Sequence, residues 1–242
     1  MITAFYRYFL DGIPKYLARY YWWAYLWSVG VWFFDHQPII NAILFGQYRK
    51  LMNESLVRVA AGPKERMLQL TCVYGELTPK LLHQAGEKHL HIADVAPIQL
   101  KAACAKSPDP AQLLQVRLNA ECLAYQDNSF DRIIVFFLLH ELPPDARART
   151  LAECIRVLRP GGRLLVTEYA PLPKNHLWYR LPPSRWLLTH LEPFLGSFWH
   201  EDTGALLREE AERQGKQLRA VGHKDFFAHF YRVTDYELLD QA

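Results

Sequence analysis

"MLQLTCVYGELTPKL", residues 67–81, decides the fold. Met67 to Cys72 read as a strand, Gly75 marks a turn, and the apolar spacing after it opens a helix. A strand passing through a glycine turn into a helix N-terminus is how nucleotides are seated in parallel α/β sheets. Such turns usually carry two or three glycines, whereas here Gly75 stands alone. The stretch is therefore either a damaged cofactor loop or one rebuilt for different chemistry.

Outward from this stretch the chain keeps alternating short apolar runs with helical patterns. Strands are expected over 67–72, 89–94, 114–118, 132–138 and 163–169, and helices over 76–86, 97–106 and 144–158, the last stopped by Pro160, Gly161 and Gly162. Asp202 or Thr203 is a cap for a further helix ending near Gly215, and "KQLRAVGHKDFFAHFYRVT", residues 216–234, supplies two final strands. The expected fold is α/β, a mostly parallel seven-stranded sheet with helices on both faces and an aromatic-rich N-terminal helical extension. Residues 170–200, rich in Pro, Trp and Leu, fit no regular pattern and read as an insertion over the site.

Ligands of such sheets sit at the carboxyl ends of the strands. Gly75 would let a ligand approach the backbone at the end of the first strand. Asp94 closes the second, where a carboxylate accepts the hydroxyls of a ribose or, alternatively, caps the next helix. Asn119, Ala120 and Glu121 follow the third strand and offer groups to an adenine edge, His140 and Glu141 follow the fourth, and Glu168 ends the fifth.

Length and composition suit a single large domain with an appendage, divided as 1–60 and 61–242. The four cysteines, Cys72, Cys104, Cys122 and Cys154, show no metal-binding spacing and read as reduced, mostly buried thiols. Through Arg58 there are six basic and three acidic residues, which carries the whole net charge of +3, so the body is neutral and no nucleic-acid partner is expected. "YYWWAYLWSVGVWFF", residues 20–34, is uncharged but too short to span a bilayer, which takes about 20 residues. Flanked by Arg7, Lys15, Arg19, Arg49 and Lys50, it reads as helices lying in a membrane surface, or else as a lid over the core or a dimer interface. No cleavable leader is expected, and the expected location is cytoplasmic with peripheral association to the inner membrane.

"ADVAPIQL", "LNAECLAYQDNSFDRIIVFFLLHEL" and "IRVLRPGGRLLVTEYAP" (93–100, 118–142 and 155–171) resemble class I S-adenosylmethionine-dependent methyltransferases, particularly the ubiquinone and menaquinone C-methyltransferases. Where that family reads D-x-x-C/G-G-T-G, this chain has Gln69, Cys72, Val73, Tyr74 and Gly75. Together with "DVAPIQL" and "YWWAYL", this altered motif resembles the rhodoquinone biosynthesis family, methyltransferase relatives. The resemblance implies a Rossmann-like fold and replacement of a ubiquinone methoxy group by an amino group, with nitrogen drawn from S-adenosylmethionine and manganese required. It further implies cofactor contacts from Gln69, Cys72, Val73, Tyr74, Gly75, Asp94, Val95, Asn119, Ala120, Glu121 and Phe136.

The altered motif has a chemical rationale. An aspartate beside the cofactor's amine keeps it protonated and non-nucleophilic, so Gln69 would free the nitrogen, while Val73 and Tyr74 would push the methionine tail toward the quinone. Manganese accepts imidazole and carboxylate and would offset charge on a ring oxygen. The candidate ligands are His140, Glu141 and Glu168, with Glu76, Asp94 and His176 in reserve; Tyr74, His140 and Glu141 are the catalytic candidates, and His140 is alternatively the base. Against these stand packing roles for Tyr74 and His140 and solvated or paired carboxylates. Two other functions remain open: a conventional quinone or lipid methyltransferase, separable by product mass, and a silent quinone-binding relative, separable by titration with the cofactor.

Overall fold

The computed structural model describes residues 12–61, 66–86 and 89–239. Arg7, one of the expected lipid contacts, lies outside them. Four short helices, α1 (Lys15–Tyr20), α2 (Trp22–Tyr25), α3 (Ser28–Phe34) and α4 (Gln37–Ile43), precede α5 (Tyr48–Ala60). Then come β1 (Met67–Leu70), α6 (Leu77–Ala85), β2 (Leu90–Asp94), α7 (Pro97–Ala105), β3 (Leu113–Arg117), β4 (Phe130–Phe136), α8 (Pro144–Val157) and β5 (Leu158–Tyr169). The chain closes with α9 (Leu177–Arg180), α10 (Pro182–Leu191), α11 (Leu195–Trp199), α12 (Thr203–Arg213), β6 (Leu218–Phe226) and β7 (Tyr231–Leu238).

The seven strands form one sheet in the order β3-β2-β1-β4-β5-β7-β6. β1 to β5 are parallel, and β7 runs antiparallel between β5 and β6. This is the Rossmann-like methyltransferase fold. Strand order reverses at β1 and β4, so the crevice opens at their carboxyl ends. The inner strands are apolar on both faces, as a sheet covered on both sides requires; every residue of β4 is buried. Two buried polar groups stitch the edge. Arg132 of β4, fully buried, donates to Asp235 of β7 at 3.0 Å, and Arg163 of β5 reaches the same carboxylate at 3.2 Å.

Several boundaries differ from expectation for local reasons. β1 stops at Leu70, two residues early. β4 spans 130–136 rather than 132–138, because Phe130 already pairs with Leu158 and Phe137 adopts φ +53°, which breaks the strand. Pro160, Gly161 and Gly162 do not end α8; the helix stops at Val157, and these residues form a bulge within β5 opposite Asp131. A side chain at Gly162 would lie 2.8 Å from the Arg159 carbonyl, so glycine is needed there. Residues 170–200 are not irregular but form α9 to α11. Leu51, Met52, Leu56 and Val59 of α5 share one core with the sheet. Among the cysteines, Cys72 and Cys154 are buried and Cys122 is exposed.

Candidate functional site

A cleft enclosing about 1120 Å³, its open mouth included, lies over the carboxyl ends of β1, β2 and β4. Its wall along the ends of β1, β2 and β3 is Thr71, Cys72, Val73, Tyr74, Asp94, Val95, Asn119 and Ala120. Its far end is Phe136, Phe137, Leu138, His140 and Glu141, and α1, α2 and α4 roof it with Tyr16, Tyr25 and Ile40.

Asp94 is buried at the end of β2. One carboxylate oxygen accepts the Cys72 N–H at 3.0 Å and the other the Ala96 N–H at 2.8 Å. Burial pushes its pKa up to about 6, against the pull of those amides. Asp94 also lines the cleft. Val73, Val95, Asn119, Ala120 and Phe136, expected as cofactor contacts, line the same cleft.

Three of the expected cofactor contacts are placed differently. Gln69 does not line the cleft: it is fully buried beneath the turn, donating to the Thr71 carbonyl at 2.9 Å, and its Oε1 has no partner among the described residues. Gly75 does not present its backbone to a ligand. Its N–H donates to Asp35 at 2.9 Å, and a Cβ there would meet the Tyr48 hydroxyl at 2.6 Å, because the N-terminal helices fill that space. The same hydroxyl donates to the Tyr74 carbonyl at 2.8 Å and accepts the Leu77 N–H at 3.3 Å. Glu121 is turned away, held by Arg149 at 2.6 Å and by the Tyr16 hydroxyl at 3.0 Å.

Tyr74 lines the cleft without closing it. Its ring stacks on Tyr25 with centroids 5.6 Å apart, and its hydroxyl donates to the Ala24 carbonyl and accepts from Gln99 at 3.0 Å. Burial raises its pKa well above the ordinary phenol value. The group is a strut between the roof and the turn, not an available acid or base.

At the far end, His140, Glu141 and Glu192 each bring a ligand atom to within 4.8 Å of the others. Glu168, the expected third ligand, lies behind them. It accepts from His140 Nδ1 at 2.7 Å and from the Leu139 N–H at 2.6 Å, which fixes the imidazole with Nε2 toward the cluster. A hydrogen-bonded histidine and two carboxylates are a donor set suited to a hard divalent ion such as manganese. Arg147, fully buried on α8, donates to the carbonyls of Leu139 and Leu142 at 2.8 Å each and so clamps the turn that carries His140. The roof touches the cluster too: Tyr25 donates to Glu141, and Tyr21 to Glu192 at 3.0 Å.

Burial alone would keep His140 neutral, but Glu168, Glu192 and Glu141 outweigh it and push its pKa up to about 9. That leaves no free imidazole base near neutrality in the cluster as it stands. Burial pushes Glu141 up to about 8 against the attraction of His140, and it raises Glu192 likewise. The reserve ligands stand apart: Glu76 is exposed and paired with Lys80 at 3.1 Å, His176 caps α9, and Asp94 is at the end of β2.

Glu192 and Arg147 were not legible beforehand. Glu192 comes from the stretch with no readable period, and Arg147 sits in an ordinary amphipathic helix whose polar residues look solvated.

Residues 67–162 match a family model described as a methyltransferase domain, in keeping with the sheet order. The chain is 33% identical over 144 residues to the ubiquinone/menaquinone biosynthesis C-methyltransferase UbiE of Shewanella piezotolerans, covering 57% of this chain and 56% of that one. It is 34% identical over 137 residues to its Vibrio cholerae counterpart, covering 54% and 52%. The chain thus spans about half the length of the curated relatives it matches. Among solved structures, a chain of the complex between the Haloferax volcanii Trm112 methyltransferase activator and a putative methyltransferase superposes with TM-score 0.60 at 13% identity, over 86% of this chain and 97% of that one. The N-methyltransferase NodS of Bradyrhizobium japonicum superposes with TM-score 0.56 at 17% identity, over 80% and 99%. These structures are similar in fold.

Proposed function

We propose that this protein is a quinone-modifying enzyme that uses S-adenosylmethionine as nitrogen donor to exchange a methoxy group of ubiquinone for an amino group. The His140, Glu141 and Glu192 cluster, sharing one cleft with Asp94, is the observation that carries this reading. Methyl transfer needs no divalent-cation site opposite the nucleoside. Addition of an amine to a quinone ring has a use for one.

Asp94 would hold the ribose, and Val73, Val95 and Asn119 would line the nucleoside. The amine adds to the ring carbon bearing methoxy, and methoxide leaves and takes the amine's proton as methanol. Loss of the donor's α-proton then moves the C–H electron pair into the quinone ring, giving a hydroquinone joined to the donor carbon by a C=N bond, which water hydrolyses to the aminohydroquinone and a 2-oxo acid. Manganese at the cluster would supply Lewis-acid relief of the negative charge on the ring oxygen. Glu168 and Arg147 hold the imidazole and its turn in place. The roof of Tyr16, Leu17, Ile40 and Ile43 offers an apolar wall to a lipid-soluble substrate and excludes water. The exposed face of the same helices, with Trp22, Trp27 and Trp32, supports peripheral contact with the membrane that holds the quinone. Among the described residues no helix is long and apolar enough to cross a membrane.

The UbiE relatives favour a second reading, ordinary methyl transfer to a quinone. One experiment separates the two. Purified protein is given ubiquinone, Mn²⁺ and cofactor carrying heavy nitrogen at its α-amine. Label in the product ring, with a mass loss matching methoxy-to-amino exchange, supports amination; an unlabelled product heavier by a methyl group refutes it.

A further inference from the structure

We propose that α10 is a second membrane-binding element, laying an exposed apolar stripe into an anionic lipid surface beside the N-terminal helices. The proposal rests on reading those helices as membrane-facing. Pro183, Trp186, Leu187, His190 and Leu191 follow the i, i+3, i+4, i+7, i+8 spacing that an amphipathic helix normally buries. In α10 this stripe points outward: Trp186 is 64% exposed, Leu187 47% and Leu191 49%, while Ser184 is buried and Leu188 and Thr189 are half-buried. Leu177 and Leu181, just before it, are exposed as well. An apolar surface of this extent marks an interaction site.

Charge selects the partner. Over residues 12–50 and 171–191 the exposed ionisable groups other than histidine are Lys15, Arg19, Arg49, Lys50, Lys174, Arg180 and Arg185. The single acidic residue in those stretches, Asp35, is paired with Lys106. A second copy of the chain would bring like charge against like charge, whereas an anionic bilayer complements both the cations and the apolar rings. At ten residues α10 is far too short to span, so it lies in the interface.

The two surfaces share a framework. Phe194 packs edge-on against Tyr20 at 5.5 Å and Tyr16 at 6.2 Å. Glu192, the residue that ends α10, accepts from Tyr21 and belongs to the cation cluster. Lipid docking of α10 therefore bears on a carboxylate of the site.

The test is co-sedimentation of the full chain with phosphatidylcholine vesicles, with and without phosphatidylglycerol. Wild type should bind both and prefer the anionic ones. Combined Trp186→Ser, Leu187→Ser and Leu191→Ser should weaken binding roughly tenfold or more with the thermal midpoint unchanged. Arg180→Gln with Arg185→Gln should weaken binding to anionic vesicles alone, by about fivefold per charge. If the serine variant misfolds, quenching by brominated lipid compared between wild type and Trp186→Phe decides, because the proposal requires Trp186 to contribute. Wild type that binds no vesicle, or dimerises instead, overturns both this proposal and the membrane reading of the N-terminal helices. Binding lost with Trp22→Ser, Trp27→Ser and Trp32→Ser but kept by the α10 variants overturns the role of α10 alone.

Discussion

Replacing Asp94 by asparagine tests whether the cleft holds a nucleoside. The carboxylate accepts two backbone N–H groups, from Cys72 at 3.0 Å and Ala96 at 2.8 Å. An asparagine carbonyl can take only one of them and turns its own NH₂ toward the other, leaving a buried donor unpaired at about 1–3 kcal/mol of stability. Loss of a charge-assisted bond to ribose removes about 1.5–3 kcal/mol of binding, roughly 10- to 150-fold in affinity. The wild type should also reveal Asp94 through pH. Because its pKa is raised to about 6, the ionised form that accepts ribose hydroxyls is present above that pH and lost below it. Affinity should fall about tenfold between pH 7.5 and pH 5. Stability runs in the opposite sense: the penalty of the buried charge is full above about pH 6 and is relieved as pH falls toward the ordinary carboxyl value near 3.9. Calorimetric titration with S-adenosylhomocysteine measures the affinity, and a thermal melt separates binding from unfolding. A folded Asp94→Asn protein that binds within twofold of wild type, with a flat pH profile, refutes the assignment of this wall to the nucleoside.

Glu168→Gln should weaken Mn²⁺ binding about 10- to 100-fold, because the imidazole of His140 loses its anchor; electron paramagnetic resonance titration reads it, and unchanged affinity removes Glu168 from the supporting shell. Asp235→Ala strands the fully buried Arg132 and should cost about 3–5 kcal/mol in urea denaturation. A value under about 1 kcal/mol would mean that Arg132 finds water or another partner. Gly75→Ala combines φ +77° with a Cβ 2.6 Å from the Tyr48 hydroxyl, so about 1–3 kcal/mol of stability should be lost. A neutral melt would show that the turn can yield.

The sheet was legible because its strands are apolar runs separated by helical periods and turn residues, a pattern that local chemistry writes directly. Errors arose where tertiary pairing overrode local signals. Arg159 to Gly162 looks like a helix stop followed by a loop, yet the pairing of Leu158 with Phe130 pulls it into the sheet as a bulge. In the site, the strand-end residues Asp94, His140 and Glu141 were legible from position alone. Glu168 ends β5 as expected, but its carboxylate accepts from His140 Nδ1 while Glu192 completes the group with His140 and Glu141, a pairing that strand-end position alone does not reveal. Glu192 was invisible: its only distinction is that α10 returns over the cleft, a fact of packing between segments more than fifty residues from His140 along the chain.

The single glycine of the opening stretch takes its meaning from the N-terminal helices. In a nucleotide-binding turn the glycines leave space and the backbone N–H groups point at the ligand. Here Asp35 takes the Gly75 N–H, Tyr48 takes the Leu77 N–H, and Lys106 donates to both Asp35 and the Val73 carbonyl. These two donors of the turn are spent on the protein's own side chains, and a phenol packs against the glycine. A damaged loop would leave these amides unpaired or the cleft filled, and neither is seen at Gly75 and Leu77. The N-terminal helices pack against the loop as part of its wall, and the tail of any cofactor held by Asp94 would have to find its contacts elsewhere in the cleft. The cluster at the far end is where polar groups converge, which is why nitrogen rather than methyl chemistry is the sharper expectation.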